Sequence, residues 1–481
     1  MPIFEIPEKE YGLLLDGRWI KAGEPTDIRN PYDRRTIATV RRADAPAMNA
    51  AIIAAQRGFD RMRSLTTAER VTILERIASG LRSRAEEIAA TITAEAGKPI
   101  ALSRIEVQRG ISTFEIAAHE VACFEGETLR LDIAAAGKKH FGLTRRFPIG
   151  LVAAITPFNF PLNLVAHKVA PAIAVGDPVI LRPASQTPVT SLILGEIAIE
   201  AGLPDGGLNI APSPVELAEE LVADDRIKMV TFTGSPDVGW PLKTRAGKKK
   251  VALELGANCA AIVNLDADIE LAIQRLAFGA FAYAGQICVS VQRIFLHEGI
   301  FDEFVEGFLR QIDVEIGVGN PADERVVCGP LITEADANRI EAWCEEALRA
   351  GSQRLLGGRR ERSVLWPTVL TKVPRAMKVN IEEAFGPVVT LAPYHTFDQA
   401  LDMANDSRYG LQAGIFTRDV HKIFHAFDRL EVGAVIANDS PTFRADNMPF
   451  GGVKDSGLGR EGVRYAMEEM SELKLLALNL E

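Results

Sequence analysis

Apolar and polar residues follow two rhythms along this chain, and each rhythm predicts a different kind of structure. Residues 44–125 repeat apolar positions at helical spacing and include a helix stop signal at Gly97, at the end of AERVTILERIASGLRSRAEEIAATITAEAG. From residue 149, short apolar runs alternate with helical segments. This pattern is typical of a parallel sheet covered by helices on both faces. A second α/β series begins at residues 260–264 and runs past residue 440.

The predicted strands of both series can be read from the sequence. In the first series they are IGLVAAI, PVILRP, GLNIA, KMVTFT and VALEL, with helices expected from about residues 161, 188, 214 and 236. In the second series they are AAIVN, VQRIFLH, LWPTVL, VVTLAPY and GAVIAND. The fold class is therefore α/β, and the first series has the architecture of a Rossmann-type dinucleotide-binding domain.

Two further segments alternate without an obvious place in either series. Residues 128–147 alternate around a Gly-Lys-Lys turn, which predicts an exposed hairpin with little to pack against on its own chain. The C-terminal SELKLLALNL alternates like an edge strand and is expected to pair with the hairpin arm of a partner subunit. The two segments together predict a homo-oligomer, either a homodimer or a homotetramer.

Bulk properties exclude several classes of protein. A chain of 481 residues is too long for one ordinary core, so two or three domains are expected. A net charge of -10 without a basic domain argues against nucleic-acid binding, and no apolar run approaches the roughly 18 residues that cross a bilayer. The N-terminus MPIFEIPEKE does not resemble a signal peptide, and the five scattered cysteines form no CxxC pair. We therefore expect a cytoplasmic protein without a disulfide framework or a metal site.

Three residues point to chemistry: Asn159 in TPFNFP, Glu254 in LELG and Cys288 in AGQIC. A thiol nucleophile, a carboxylate that activates water and an amide that holds an oxyanion are the parts of a covalent acyl-enzyme cycle. Cys288 follows a small-residue turn, and a nucleophile on a tight turn at a helix start would gain backbone N–H donors. Glu254 ends a predicted buried strand, where burial would raise its pKa toward that of a general base.

Each of these residues also has a plainer interpretation. Cys288 could be a small buried hydrophobe, and Cys259 is a rival nucleophile because it lies close to Glu254 in the sequence. Glu254 could pair with a lysine or an arginine. Asn159 could cap a turn, whereas its functional interpretation is a fixed amide donor to a substrate oxygen.

A phosphate site is predicted in TFTGSPDVG, residues 231–239, which has a strand, a glycine turn and a helix start in succession. Backbone amides at such a helix N-terminus suit a pyrophosphate. The motif is weak alone because the chain has no GxGxxG at this point.

Six motifs resemble those of the aldehyde dehydrogenase superfamily in order and spacing, over essentially the whole chain: TPFNFPLN, TFTGSPDVG, LELGAN, AGQICVS, EEAFGPV and PFGGVKDSGLGREG. The resemblance implies NAD or NADP as cofactor and oxidation of a small-molecule aldehyde to its acid through a thioester. By the same resemblance Cys288 is the nucleophile, Glu254 the general base and Lys168 the lysine behind that base. Asn159 and the Cys288 amide would form the oxyanion hole.

The resemblance also implies which residues hold the cofactor. Gly234 and Ser235 are similar to the pyrophosphate-binding helix start, and Glu383 and Phe385 to the pair that holds the nicotinamide ribose and ring. The full set of implied cofactor contacts is Thr156, Pro157, Phe158, Arg182, Ser185, Gly234, Ser235, Gly239, Leu255, Glu383 and Phe385.

The chain departs from the family pattern in three motifs, the first of which bears on cofactor specificity. Arg182 stands where the family has a lysine, and Ser185 where it has a glutamate that would repel a 2′-phosphate. We therefore hypothesise that NADP is accepted and even preferred. Ala257 replaces the second glycine of LELGG, and Phe158 replaces the tryptophan of the oxyanion loop.

The branch that the chain most resembles contains lactaldehyde, non-phosphorylating glyceraldehyde-3-phosphate and phosphonoacetaldehyde dehydrogenases. Members that use phosphorylated aldehydes have three arginines around the substrate, whereas here Arg109 and Arg444 match two positions and Ile287 occupies the third. The expected substrate is thus a short hydroxylated or monoanionic aldehyde, with Phe160 as a further contact. For both arginines a structural salt bridge is an open alternative.

Alternative functions are phospho-aldehyde or semialdehyde oxidation, including that of succinic semialdehyde, and CoA acylation. The CoA-acylating branch lacks the carboxylate base, so the presence of Glu254 argues against it. A cofactor-independent thiol hydrolase would need no nucleotide domain, and an inactive structural homologue would be expected to lack the nucleophile.

The expected divisions are a nucleotide-binding domain of residues 1–127 and 148–252, a catalytic domain of 253–447, an oligomerisation arm of 128–147 and 466–481, and a returning segment of 448–465.

Overall fold

The structure, a computed structural model, describes residues 9–480. The predictions made for the first eight residues and for Glu481 lie outside this range. Helices make up most of the N-terminal quarter and alternate with strands elsewhere, as the sequence predicts. They are Ala45–Ser64, Thr67–Ser83, Ala85–Ala96, Ile100–Ala122, Asn163–Val175, Val189–Glu200, Val215–Ala223, Pro236–Ala246, Ile269–Phe281, Phe301–Glu315, Glu334–Arg349, Lys378–Ile381, Phe397–Asn405, Val420–Arg429 and Val463–Glu469.

The first large sheet has eight strands, of which the central five are parallel. In order across the sheet they are Gly457–Leu458, Lys250–Glu254, Ile227–Thr233, Leu151–Ile155, Val179–Arg182, Leu208–Ile210, Leu13–Leu15 and Arg18–Ile20. The five parallel strands are those expected from the first α/β series, which confirms the Rossmann-like parallel sheet. The antiparallel edge strands come from distant parts of the chain.

The second large sheet has seven strands and contains the second predicted series. In order they are Gln353–Leu356, Thr368–Thr371, Val388–Tyr394, Val291–His297, Cys259–Val263, Gln412–Phe416 and Ala434–Ala437. The predicted strand LWPTVL is divided at its proline into Val364–Leu365 and Thr368–Thr371. This division is expected because proline has no N–H to donate to a strand ladder.

The smaller sheets connect peripheral segments. One contains Lys9–Tyr11, Thr36–Arg42 and Glu24–Arg29 in that order. Three two-stranded pairs are Gly317–Val318 with Val326–Cys328, Arg360–Glu361 with Val364–Leu365, and Tyr409–Gly410 with Val453–Lys454.

The predicted hairpin arm forms a three-stranded antiparallel sheet, with strands in the order Ser471–Asn479, His140–Pro148 and Thr128–Arg130. The C-terminal strand was expected on the arm of a partner subunit, but it pairs with the arm of its own chain along nine residues. The two segments are adjacent here because helix Val463–Glu469, which packs on helix Asn163–Val175, delivers the last strand to the arm.

Helix Asn163–Val175 is buried along its whole length between other elements of the nucleotide-binding half. Apolar residues occur on all its faces, as expected for a helix without a solvent side, and its polar residues are Asn163, His167 and Lys168. Lys168 on this helix is therefore 1 % exposed and must find a polar partner inside the protein. Among residues 9–480 no helix is long and apolar enough to cross a membrane.

The helix stop predicted at Gly97 has a clear physical basis. Helix Ala85–Ala96 ends there with Gly97 in the left-handed conformation, at φ 67°. A Cβ at this position would lie 2.7 Å from Cγ of Pro330, so the space as well as the dihedral angle requires glycine.

Candidate active site

The candidate residues meet at the carboxyl ends of neighbouring parallel strands. Glu254 is the last residue of strand Lys250–Glu254, and Gly234 follows the adjacent strand Ile227–Thr233. Asn159 lies in the loop after the next strand, Leu151–Ile155. The carboxyl edge of an open parallel sheet is where such folds bind ligands.

Cys288 lies in a turn that precedes strand Val291–His297 in the second large sheet. The tight turn was predicted correctly, but its place at a helix start was wrong. The preceding 3-10 segment reverses the chain, with Tyr283 and Ala284 at positive φ. Gln286 fixes this turn, since its Nε2 donates to Pro330 O at 3.1 Å and its Oε1 accepts from Ile332 N–H at 2.9 Å.

Glu254 is 2 % exposed, and within residues 9–480 neither carboxylate oxygen accepts a hydrogen bond from a nitrogen or hydroxyl donor. The alternative of a direct ion pair with lysine or arginine is therefore not observed. Burial and the nearby carboxylate of Glu461 raise the pKa of Glu254 to about 7, although Arg444 and Lys168 partly oppose them. Burial, and then Glu254, raise the pKa of the Cys288 thiol well above its usual value. A carboxyl that titrates near neutrality suits a base for such a thiol.

Asn159 is 2 % exposed and is held by one hydrogen bond. Its Nδ2 donates to Gln286 O at 2.9 Å, two residues before Cys288, while its Oδ1 has no partner among the described residues. One N–H of the amide therefore remains for another acceptor. This geometry joins Asn159 to the turn that presents Cys288.

Lys168 was expected behind Glu254, but its direct partner is a carboxylate that the sequence analysis did not select. Its Nζ lies 2.7 Å from Glu461 Oε1 and 3.0 Å from Thr231 Oγ1. Glu461 lies within PFGGVKDSGLGREG, a motif that also contains Asp455. The one feature of the sequence that could have pointed to Glu461 is its position in a glycine-rich segment.

The larger of two cavities at this site has a volume of about 750 Å³. Its walls include Pro157, Phe158, Asn159, Gly234, Ser235, Glu254, Leu255, Cys288, Glu383 and Phe385. Most of the implied cofactor contacts thus line this single cavity, and Asn159, Glu254 and Cys288 line it as well.

Features of this cavity fit a dinucleotide. Ser235 is the N-cap of helix Pro236–Ala246 and makes no side-chain cap, so the first backbone amides of that helix are not capped by their own serine. A Cβ on Gly239 would lie 2.5 Å from Leu255 Cδ2, which explains a glycine at this helix position. The ring of Phe158 packs edge-on against Phe385, with centroids 5.8 Å apart.

Glu383 reaches the segment that follows the candidate base. Its Oε1 accepts from Ala257 N–H at 3.0 Å, and a Cβ on Gly256 would lie 2.3 Å from its Oε2. Burial raises the pKa of Glu383 to about 7, although the hydrogen bond from Ala257 N–H lowers it in part. The observed position of the Glu383 carboxylate therefore requires glycine at residue 256.

Thr156, Arg182 and Ser185 do not line either of the two cavities described for this site. Thr156 N–H donates to Arg182 O at 3.2 Å, so the two residues are neighbours at the ends of adjacent strands. Arg182 Nη2 donates to Ser213 O at 3.0 Å, and burial lowers the pKa of its guanidinium. These residues form a separate polar patch further along the sheet edge.

The smaller cavity, of about 180 Å³, opens on the other side of Cys288. Phe160, Ile287, Arg109 and Arg444 line it together with the thiol. All four substrate candidates from the sequence are therefore brought together.

Both arginines of the smaller cavity are also in ion pairs. Arg109 Nη2 lies 2.8 Å from Asp446 Oδ1, and Arg444 Nη2 lies 3.0 Å from Glu461 Oε2. Arg444 stacks on Phe450, with its guanidinium carbon 3.7 Å from the ring centroid. The structural salt bridges considered from the sequence thus exist, and they coexist with a place in the cavity wall.

Comparisons with known proteins agree with this geometry. Residues 19–476 match the family model described as "Aldehyde dehydrogenase family". The 3-sulfolactaldehyde dehydrogenase of Priestia aryabhattai is 42% identical over 473 residues, covering 98% of this chain and 98% of that protein.

Two solved structures are similar over almost the whole chain. Aldehyde dehydrogenase 21 from Physcomitrella patens, in complex with the reaction product succinate, has a TM-score of 0.96 and 45% identity, covering 98% of this chain and 99% of its own. The glyceraldehyde-3-phosphate dehydrogenase GapN from Methanocaldococcus jannaschii, complexed with NADP, has a TM-score of 0.92 and 40% identity, covering 96% and 100%.

The fold and the shared cavity wall define a dinucleotide-dependent oxidoreductase with a thiol at its centre. The chain belongs to the aldehyde dehydrogenase family. It is an NAD(P)-dependent enzyme that acts on the aldehyde group, which confirms the family predicted from the six motifs.

Proposed function

We propose that this enzyme oxidises a short hydroxylated or monoanionic aldehyde of the lactaldehyde type, with Cys288 as nucleophile and Glu254 as general base. The observation that supports this most directly is the position of Cys288, whose thiol faces both the larger and the smaller cavity. A substrate in one cavity and a cofactor in the other would meet at this sulfur. Geometry of this kind makes a bimolecular step effectively unimolecular.

In the proposed cycle the Cys288 thiol loses its proton to Glu254 and attacks the aldehyde carbon. Asn159 and the backbone N–H of Cys288 hold the oxyanion that forms. When bound, the nicotinamide supplies the hydride acceptor that turns this adduct into a thioester. Once Glu254 has released the thiol proton to solvent, it takes a proton from water, and the resulting hydroxide attacks the thioester to release the acid and the Cys288 thiolate.

The smaller cavity favours a compact anionic or hydroxylated substrate. Arg109 and Arg444 supply positive charge, but Asp446 and Glu461 already neutralise much of it. Ile287 leaves the third side apolar. A dianion would be incompletely compensated there, whereas a single carboxylate, sulfonate or hydroxyl group could be held. The similarity to a 3-sulfolactaldehyde dehydrogenase agrees with this class.

Succinic semialdehyde is a second candidate substrate. It is a short monoanionic aldehyde, and the chain is 45% identical to an enzyme whose structure holds succinate as reaction product. The same two arginines would receive its distal carboxylate.

An absorbance assay at the reduced-nicotinamide band tests these proposals. Lactaldehyde, sulfolactaldehyde, succinic semialdehyde, glycolaldehyde and glyceraldehyde-3-phosphate would each be offered with NAD and with NADP. We expect the highest kcat/KM with a hydroxylated or monoanionic aldehyde. A preference for the phosphorylated aldehyde would contradict the substrate proposal, and no reduction with any aldehyde would contradict the function.

For the cofactor we propose that NADP is accepted and preferred over NAD. Ser185 removes the carboxylate that would repel a 2′-phosphate, and Arg182 adds a guanidinium at the same strand end. A KM for NADP far above that for NAD would contradict this preference.

We further propose the divisions given above as domains, a cytoplasmic location and a homodimer or homotetramer. The arm supports the oligomer, because Leu473, Leu475, Leu476 and Leu478 of its outer strand are between 43% and 55% exposed. Leu473 and Leu475 lie on one face of this strand and Leu476 and Leu478 on the other, because side chains alternate along a strand. Exposed apolar side chains on both faces of the arm are typical of an interface. Static light scattering of the purified enzyme measures the assembly directly.

A further inference from the structure

A patch with two arginines lies outside both cavities, where strand Thr36–Arg42 meets the carboxyl edge of the first large sheet. Ala43 N–H donates to Pro212 O at 2.7 Å, and Arg182 Nη2 donates to Ser213 O at 3.0 Å. Because Ala43 and Arg182 bind consecutive residues of one loop, and Arg42 acts electrostatically on Arg182, the two arginines lie close together. Arg182 was a candidate from the sequence, whereas Arg42 was not.

Arg42 has no ion pair and no side-chain hydrogen bond within residues 9–480, although its side chain is half-buried. Its Nε is buried without a partner, and the same is true of Arg182 Nε and Ser213 Oγ. Glu24 is opposite Arg42 in the strand pairing but forms no ion pair with it. Two guanidinium groups and a hydroxyl thus leave hydrogen-bonding capacity unused in one small region.

Like charges in such a patch repel each other. Burial lowers the pKa of Arg182, and the positive charge of Arg42 lowers it further. Glu216 acts in the opposite direction but makes no ion pair with either arginine in the described residues. Cationic side chains arranged without an intervening carboxylate are suited to an anion that would bridge them.

We propose that Arg42 is a specificity-determining residue for the cofactor, which together with Arg182 receives the 2′-phosphate of the adenosine ribose. The inference rests on the proposed preference for NADP and adds a residue from a different part of the chain. A phosphate between the two guanidinium groups would supply the missing acceptors and remove the repulsion. The Arg42 strand would then discriminate between NADP and NAD without contacting the reacting atoms.

The adjacent arginine provides a matched control. Consecutive residues of a strand point to opposite faces. Arg41 accordingly lies on the other side, where its Nη2 is 2.7 Å from Glu10 Oε1 and its Nη1 donates to Gly23 O at 3.1 Å. R41Q and R42Q remove the same charge from neighbouring positions of one strand.

The test compares two ligands that differ only in the 2′-phosphate and need no turnover: adenosine 2′,5′-bisphosphate and adenosine 5′-monophosphate. Isothermal titration calorimetry gives Kd for each on the wild-type enzyme, R42Q, R42K and R41Q. We expect R42Q to weaken the bisphosphate at least about tenfold and the monophosphate less than about twofold, since one charge-assisted contact is lost. R42K should retain part of the preference, and R41Q all of it.

Two outcomes would overturn the inference: R42Q keeping the wild-type preference for the bisphosphate, or R41Q losing it to the same extent. If thermal unfolding shows that R42Q is not folded, the Kd values of R42K for the two ligands test the inference instead. A lysine keeps the positive charge but cannot make the bidentate contact of a guanidinium group. If R42K binds the bisphosphate as tightly as the wild-type enzyme does and keeps its full preference, a bidentate contact from Arg42 is contradicted. A wild-type enzyme that oxidises aldehydes with NAD but does not favour the bisphosphate would refute this inference while leaving the proposed aldehyde oxidation intact.

Discussion

The ammonium nitrogen of Lys168 lies 2.7 Å from Oε1 of Glu461, and this contact leaves the candidate base Glu254 without a cation of its own. Arg444 holds the second oxygen of Glu461 at 3.0 Å. Burial alone would raise the pKa of Glu461, but Lys168 and Arg444 outweigh it and hold that pKa far below its usual range. Glu461 therefore stays ionised, and its negative charge helps to raise the pKa of Glu254.

This arrangement predicts how activity depends on pH. A general base must be ionised, so kcat/KM should rise as pH increases through about 7, where Glu254 loses its proton. In E461Q the charge that raises the pKa of Glu254 is absent, and Lys168 and Arg444 are no longer neutralised. The rise should therefore move to lower pH. Initial rates from pH 5 to pH 9 measure it, with E468Q, on the helix that follows Glu461, as control; a shift to higher pH would contradict the assignment.

The identity of the nucleophile is tested by two serine substitutions. C288S should lower kcat for aldehyde oxidation by on the order of 10³-fold or more, because a serine hydroxyl is a far weaker nucleophile than a thiolate at neutral pH. C259S should retain activity, because Cys259 is 2 % exposed and lines neither cavity that meets Cys288. Mass spectrometry after incubation with iodoacetamide shows whether Cys288 is labelled, apart from the exposed Cys123, and whether that label coincides with loss of activity. Oxidation that survives in C288S but not in C259S would reverse the assignment.

Arg109 should matter for substrate charge. Its Nη2 is held by Asp446, and its guanidinium lines the smaller cavity. R109A should raise KM for an anionic aldehyde by about tenfold and KM for a neutral aldehyde of the same length much less, since one charge-assisted contact is removed. R104A on the same helix is the control, because Arg104 pairs with Glu86 and Glu324 at the surface. Equal effects of R109A on both aldehydes would indicate a purely structural role.

Gly256 is expected to control cofactor binding through Glu383. In G256A the new methyl group would collide with Glu383 Oε2, which lies 2.3 Å from the Cβ position. Displacement of this carboxylate should weaken NADP binding, measured by quenching of protein fluorescence. The same substitution in an E383A background should have little further effect, because the colliding atom is absent. Additive losses in the double variant would show that Gly256 acts by another route.

The arm should determine assembly. L475K places a charge on the outer strand, where Leu475 is 52% exposed. If this surface is an interface, burying an unpaired lysine there should shift the enzyme toward smaller species in light scattering. L265K is the control, since Leu265 is equally exposed at 54% but lies outside the arm. An unchanged mass for L475K over a dilution series would contradict this use of the arm.

The sequence determined most of the helices and strands of this protein and selected its candidate catalytic residues. Short apolar runs alternating with helical segments predicted the five parallel strands of the first sheet and the helices between them, because strands buried on both faces are apolar throughout. Cys288, Glu254 and Asn159 could be selected because each stands in a short motif whose residue types suit its chemistry. The family resemblance rested on the same local motifs.

Only the tertiary structure decided which charges meet. Glu461 is about 290 residues from Lys168 and 207 from Glu254 in the sequence, so no local pattern could show that it lies between them. The same is true of Arg42 and Arg182, which come together near one loop, and of the last strand, which pairs with the arm of its own chain. Contacts between distant segments depend on how buried elements pack, and packing is a property of the whole fold.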